Sequence, residues 1–306
     1  MLEFTCDDTL DRRSTSPAAR VSLVEGGSPS GLARGLSFLA LATLVSACAP
    51  TLSSMTPAEV ARPQHVQAEM GMDVSVPTNA LNDLVSAGES LADSQAPLGT
   101  EDQRRLLRAG AALALNPPSV NAHVGVGVGI GHGAEVQGRL VSGGWRLGGR
   151  YQFLNAKDHG IDLSAGLGIG RTSWTIGTDT LEPILEFDDY TRWQVDVPIL
   201  LGASGSWYRW WGGPRILVGS YSAGMTLSQS SEGTRYGVDL TGKSAYFGGQ
   251  LGGALGYKHI FFAAELTVVR FSTDAKLRTH GAEAGDFTTS VSGAVVYPAL
   301  GLMGDF

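Results

Sequence analysis

Charge is scarce in this chain. Asp, Glu, Lys and Arg make up 17 % of its 306 residues, against about a quarter in an ordinary soluble domain. Cysteine is nearly absent: Cys6 and Cys48 are the whole supply, too few for a disulfide scaffold. Beyond residue 50 no apolar run reaches the roughly 20 residues that a membrane helix needs. The net charge is -7 and the basic residues form no stripe, so nucleic-acid binding has no electrostatic footprint. Phosphate loops are missing too. Gly125-x-Gly127-x-Gly129 and Gly166-x-Gly168-x-Gly170 are spaced by two throughout, and no helix follows where a phosphate would need one. His132, His159 and His259 fall in separate turns without ligand spacing, so neither a metal nor another cofactor is expected.

What the chain does have is glycine, 42 residues of it, and alternation. Val66, Ala68, Met70, Met72, Val74 and Val76 face one way, and Gln67, Glu69, Gly71, Asp73 and Ser75 the other. Such a period of two over about a dozen residues marks a strand. The same pattern returns at Ser119–Ile130, at Ala134–Val141 and over Trp145–Phe153. It is cleanest where Ile161, Leu163, Ala165, Leu167 and Ile169 interleave with Asp162, Ser164, Gly166, Gly168 and Gly170. Further strands are expected around Trp193–Leu201, Pro214–Leu227, Phe247–Tyr257, Ile260–Val268 and up to Phe306. Residues 78–117 break the pattern. Leu81, Leu84, Val85 and Leu91 are spaced helically, and Glu101–Leu115 opens on two acids and stops at Asn116-Pro117-Pro118. A helical hairpin between the first and second strands is the expectation.

The connections alternate in length. Gly131–Gly133, Asn155–Gly160, Ser206–Gly213 and Tyr257–His259 read as short turns. The segments near 174–190, 228–243 and 272–288 read as long polar loops. Trp207, Tyr208, Trp210 and Trp211 cluster at one turn, and Trp174 and Trp193 lie near opposite strand ends, as rings at a water–lipid interface do.

Two segments carry resemblances. Gly35–Val45 is an apolar core behind Arg34, running into Val45-Ser46-Ala47-Cys48. This resembles a bacterial lipoprotein signal peptide with its lipobox. The resemblance implies a removed leader (1–47), a covalent lipid on Cys48, and a Ser/Thr/Pro-rich periplasmic tether (48–64). Ala49 in place of Asp implies sorting to the outer membrane. At the other end, Leu302, Leu300, Val296 and Ala294 share the face of the terminal Phe306. That strand resembles the C-terminal signal of Gram-negative outer-membrane β-barrels, which implies recognition by the barrel-assembly machinery. The fold expected is therefore all-β: a closed antiparallel transmembrane barrel over 65–306, of about ten strands with eight as the alternative. Apolar side chains would face outer-membrane lipid, short turns the periplasm and long loops the outside.

On this register the lumen receives Glu69, Asp73, His123, Glu135, Arg139, Arg146, Arg150, Asp162, Asp196 and Glu265. Buried charges must be paired or hydrated. Arg139, Arg146 and Arg150 are grouped with Asp162 in a network closing the lumen, and the inward glycines leave space in it. The function expected is non-enzymatic: a structural or interaction component of the envelope, whose loops meet a partner. A narrow channel for a small solute is the alternative. A surface hydrolase of the omptin type would need Asp and His near the outer rim, where His280, Asp274, Glu283 and Asp286 are the candidates. A soluble lipoprotein sandwich is the remaining reading.

Overall fold

The computed structural model describes residues 51–78, 104, 108, 111–112, 115–175, 185–229, 234–280 and 285–306. The leader, Cys48 and most of the expected helical hairpin lie outside the described residues. The strands are β1 (Val66–Pro77), β2 (Ser119–Gly131), β3 (Ala134–Val141), β4 (Gly144–Leu154), β5 (Asp162–Thr175), β6 (Leu185–Ser204), β7 (Tyr208–Gln229), β8 (Thr234–Tyr257), β9 (Ile260–His280) and β10 (Phe287–Asp305). Each pairs antiparallel with its neighbours in sequence, and β10 returns to β1, so ten strands close a barrel without an edge. Eight strands are thereby set aside. The seam is sealed at the chain's last residue, where Val66 donates to the Phe306 carbonyl at 2.8 Å and Phe306 donates back at 2.9 Å.

One rim carries the tight connections. Gly131-His132-Gly133 turns with positive φ at all three positions. A single helical turn, α1 (Ala156–His159), is capped by the Asn155 side chain and stopped by Gly160 in the left-handed region. His259 stacks on the Phe306 ring. Among the described residues no helix is long and apolar enough to cross a membrane. The strands do this instead. On β9, Ile260, Phe262, Leu266 and Val268 are exposed on the outer face while Glu265 and Thr267 are buried inside. Nine residues from Ile260 to Val268, at about 3.3 Å each and tilted by about 40°, give an apolar belt about 23 Å tall.

Turns and loops depart from the expectation. The turn placed at Ser206–Gly213 is shorter, because β7 begins at Tyr208 rather than near Pro214. Trp207 and Trp210 are exposed, but Trp211 is fully buried: it faces the lumen, one strand position from Trp210. Most of the loops expected near 228–243 and 272–288 are strand. There β8, β9 and β10 continue past the belt with polar residues outside, such as Thr241, Lys243, Ser272 and Lys276, and apolar ones inside. The loop expected at 174–190 is likewise shortened, since β6 starts at Leu185.

Candidate functional site

The lumen is the candidate site, and it is occupied by the chain's own residues. Thr51 to Ala61 run inside the barrel, with Leu52, Ser53, Met55, Ala58, Val60 and Ala61 all buried. Residues 51–62 were expected as part of a periplasmic tether. Their Ser, Thr, Pro and Ala content is as suitable for filling a polar tube as for crossing water. The wall grips this segment largely through its backbone. Glu265 accepts from the Ser54 amide at 2.8 Å and from the Ser53 hydroxyl at 3.0 Å. Glu135 accepts from the Ala61 amide at 2.7 Å, and Gln152 from Val60 at 3.2 Å. Asp73 accepts from the Thr51 hydroxyl and the Ser53 amide. Arg139 donates to the carbonyls of Ser53 and Ser54, Arg150 to Pro57 and Arg215 to Leu52. Buried backbone groups need such partners, and here charged side chains supply them.

The same charges pair with one another. Arg150 meets Glu135 directly across β3–β4 with bonds of 2.8, 2.9 and 3.2 Å. Arg139 pairs with Glu69. Asp196 takes Arg146 at 3.0 Å and a two-pronged contact from Arg215 at 2.6 and 3.0 Å. Two of these pairs reach over a whole strand. Glu69 on β1 crosses β2 to Arg139 on β3 at Gly125, whose register partners are those same two residues. A Cβ at Gly125 would strike the Glu69 side chain. Arg146 on β4 crosses β5 to Asp196 on β6, where the inward residues are Gly168 and Gly170. The glycine rows are gaps that let charges meet.

Of the residues expected in the lumen, Glu69, Asp73, Glu135, Arg139, Arg146, Arg150, Asp196 and Glu265 lie in this network. Asp162 does not join the three arginines. It sits at the rim of the short turns, accepting from Gln152 at 2.8 Å and from the α1 amide of Ala156 at 2.7 Å. His123 is buried, and neither ring nitrogen has a hydrogen-bond partner among the described residues. Sequence reasoning missed Arg215, Gln250 and Trp211. Gln250 accepts from Arg215 at 3.0 Å, and Trp211 donates to Glu265 at 2.8 Å. The beginning of β7 reads as a turn in the sequence, which hides the alternation of Arg209 with Trp211, and the strand expected from Pro214 shows no clear facing, which hides Arg215. Within the ionic layer a cavity of about 50 Å³ is lined by Glu69, Glu135, Arg139 and Arg146 among others, and at the rim of the short turns a larger one, of about 490 Å³, lies beside Glu59, Arg62 and Arg209.

Above the ionic layer the lumen is mostly apolar. Leu52 packs with Leu217, Tyr246, Val269, Phe271, Val295 and Tyr297, and Ala112 belongs to the same cluster. Leu115 is buried, and Asn116 accepts from Tyr246 at 3.1 Å. Thus the described end of the insert also enters the barrel. Arg192 lies over the Tyr246 ring, 4.4 Å from its centre.

Outside, His280 contacts Asp239 at 3.0 Å on the solvent face. Asp274 accepts from Ser290 and Asp286 from the Thr279 amide, so these acids are not gathered about His280. Glu283 lies outside the described residues. Among the described residues no group of three His, Cys, Asp or Glu converges to hold a metal ion.

No protein-family model matches this chain, and no curated protein sequence does. Solved structures resemble it in fold. The outer membrane protease OmpT from Escherichia coli is 10 % identical with a TM-score of 0.34, over 84 % of this chain and 99 % of that one. Ail, the attachment invasion locus protein of Yersinia pestis, is 9 % identical with a TM-score of 0.29, over 80 % and 99 %. The N-terminal β-barrel domain of Pseudomonas aeruginosa OprF is 10 % identical with a TM-score of 0.24, over 80 % and 98 %. The likeness extends to no activity. The closed antiparallel barrel with its apolar outer belt stands on this chain's own strand pairing and burial.

Proposed function

We propose that this chain is a non-enzymatic lipoprotein barrel of the bacterial outer membrane, anchored through Cys48, whose lumen is held shut by its own residues. It serves the envelope as a structural or interaction component rather than as a pore. The observation that carries this reading is the filling of the lumen. Segment 51–62 takes the inward carboxylates and guanidinium groups as backbone partners, and the cavity left within the ionic layer is about 50 Å³, room for a few waters. A solute path would need those charges hydrated and free. The rim with the short turns and the C-terminus faces the periplasm on this reading, by the usual asymmetry of such barrels. The walls of β7 to β10 that rise above the belt then offer a polar surface to an envelope partner.

Planar-bilayer recording of the purified protein tests the closed lumen. The expected outcome is a baseline without discrete steps, and reproducible unitary steps would overturn it in favour of a narrow channel. Metabolic labelling with palmitate tests the anchor: the label is expected on the wild-type chain and absent from Cys48→Ala.

A further inference from the structure

Two strands end their lipid-facing run in the same way. On β5 the outward residues from the rim of the short turns are Ile161, Leu163, Ala165, Leu167 and Ile169, and the next is Arg171. On β9 they are Ile260, Phe262, Ala264, Leu266 and Val268, and the next is Arg270. Each run spans nine residues, so both arginines stand where the apolar belt gives way to headgroups. A long basic side chain there carries its charge out of the hydrocarbon to the interface. The surroundings of the two differ. Beside Arg270 the register places Phe247 and Ala294. Beside Arg171 it places Trp145 of β4 and Trp193 of β6.

Those two strands are about 10 Å apart, with β5 between them, and the tryptophans lean across β5 until their rings meet edge to face, centres 5.9 Å apart. The Arg171 guanidinium lies 5.8 Å from the centre of the Trp193 ring, a cation–π distance. Such a contact uses the face of the guanidinium and leaves its N–H edge free. No carboxylate pairs with Arg171 among the described residues. One row nearer the mouth, the Ser173 and Thr191 hydroxyls are 3.4 Å apart on the same outer surface. One row nearer the short turns, Leu147, Ile169 and Val195 stand side by side, the first two exposed. The wall across β4 to β6 therefore presents, in order, aliphatic side chains, a cation framed by amphipathic rings, and hydroxyl groups. A membrane phospholipid has the same order along its length: acyl chains, phosphate, polar head.

We propose that Trp145, Arg171 and Trp193, with Ser173 and Thr191, form a binding site for an anionic phospholipid of the surrounding membrane, its phosphate on the Arg171 guanidinium and its acyl chains against Leu147 and Ile169. The guanidinium fork matches two phosphate oxygens, and the rings restrict where it can swing. Arg270 has no such frame and adds only charge to the boundary. The occupant is a lipid rather than a free anion, because the aliphatic row next to the cation belongs to the belt that acyl chains cover.

Native mass spectrometry of the full folded chain tests this. The protein is released from detergent micelles carrying phosphatidylglycerol and phosphatidylcholine in equal amounts, after heat-modifiable migration has established that each variant is folded. The wild type is expected to retain phosphatidylglycerol in preference to phosphatidylcholine. Arg171→Gln is expected to lower that retention about fivefold, the contribution of one basic residue near an anionic membrane surface, and Arg270→Gln to leave it unchanged. Trp193→Leu keeps the charge but removes the ring, and is expected to lower retention by less than Arg171→Gln does. Equal losses from the two arginine variants would reduce the site to general surface charge and overturn it. Retention of both lipids alike, or an Arg171→Gln protein that holds phosphatidylglycerol as the wild type does, would also overturn it. Displacement of the lipid by inorganic phosphate at equal concentration would make the occupant a free anion and sink the lipid assignment.

Discussion

The lower and upper parts of β7 to β10 are built on opposite rules. On the lower part of β9, Phe262, Leu266 and Val268 are outside, and Glu265 and Thr267 inside. Two residues further the order reverses: Arg270, Ser272, Asp274, Lys276 and Arg278 are outside, and Phe271, Ala275 and Leu277 inside. The reversal occurs together on the neighbouring strands, between Phe247 and Lys243 on β8 and between Val218 and Ser220 on β7. One strand thus serves two solvents. Within lipid the apolar side must face outward and the interior can hold charge. Above the lipid, water lies outside, and the interior is a mostly apolar core. The height of the membrane surface is written into the side chains.

Substitutions can break either half, and the largest effect is expected in the ionic layer. Arg150→Ala leaves Glu135 buried without its main partner, which costs about 3–5 kcal/mol. Denaturant titration of the protein folded in vesicles should show this as a lowered midpoint. Pairing the change with Glu135→Gln should recover part of the loss, because the uncompensated charge is then gone. Phe271→Ala in the upper core should also cost about 3–5 kcal/mol, as removal of a buried aromatic does. The comparison is sharpest between two outward positions on β9. Leu266→Arg in the belt should cost about 2–4 kcal/mol, while Ser272→Arg, just above it, should stay within about 0.5 kcal/mol. Equal effects at both would show that the polarity reversal does not mark the lipid boundary. Gly125→Ala should have the smallest measurable cost of the lumen changes, about 1–3 kcal/mol. It forces the Glu69 side chain off its route to Arg139, so its loss should largely vanish when Glu69 is already changed to Gln.

The reversal also decides what was legible in the sequence. β1, β2 and β5 stay within one solvent regime, and their Val, Met, Leu and Ile alternate with Gly, Asp and Asn in a pattern that needs no structure to read. The count of about ten strands follows from that pattern. Segments 234–243 and 272–280 alternate just as regularly, but with Ser, Thr, Lys and Asp on the side that was apolar below. Read for lipid-facing residues, they look like loops. The inward acids and arginines were visible as positions, whereas their partners were not, because Glu69 with Arg139 and Arg146 with Asp196 are joined over an intervening strand. The glycines in those intervening strands were the available cue. Residues 51–62 gave the least warning. Small polar residues with one proline compose a linker and a lumen filler alike, and only the space left by inward glycines hinted that something had to occupy it.

The seam between the first and last strands has a consequence for biogenesis. Val66 cannot exchange its two hydrogen bonds with Phe306 until the chain through Phe306 has been made. The filler precedes β1 in the chain and so exists before any part of the wall. The barrel is therefore wound about a mandrel already in place, and zipping the final pair of strands imprisons it. No pore of this protein has to open for its core to enter.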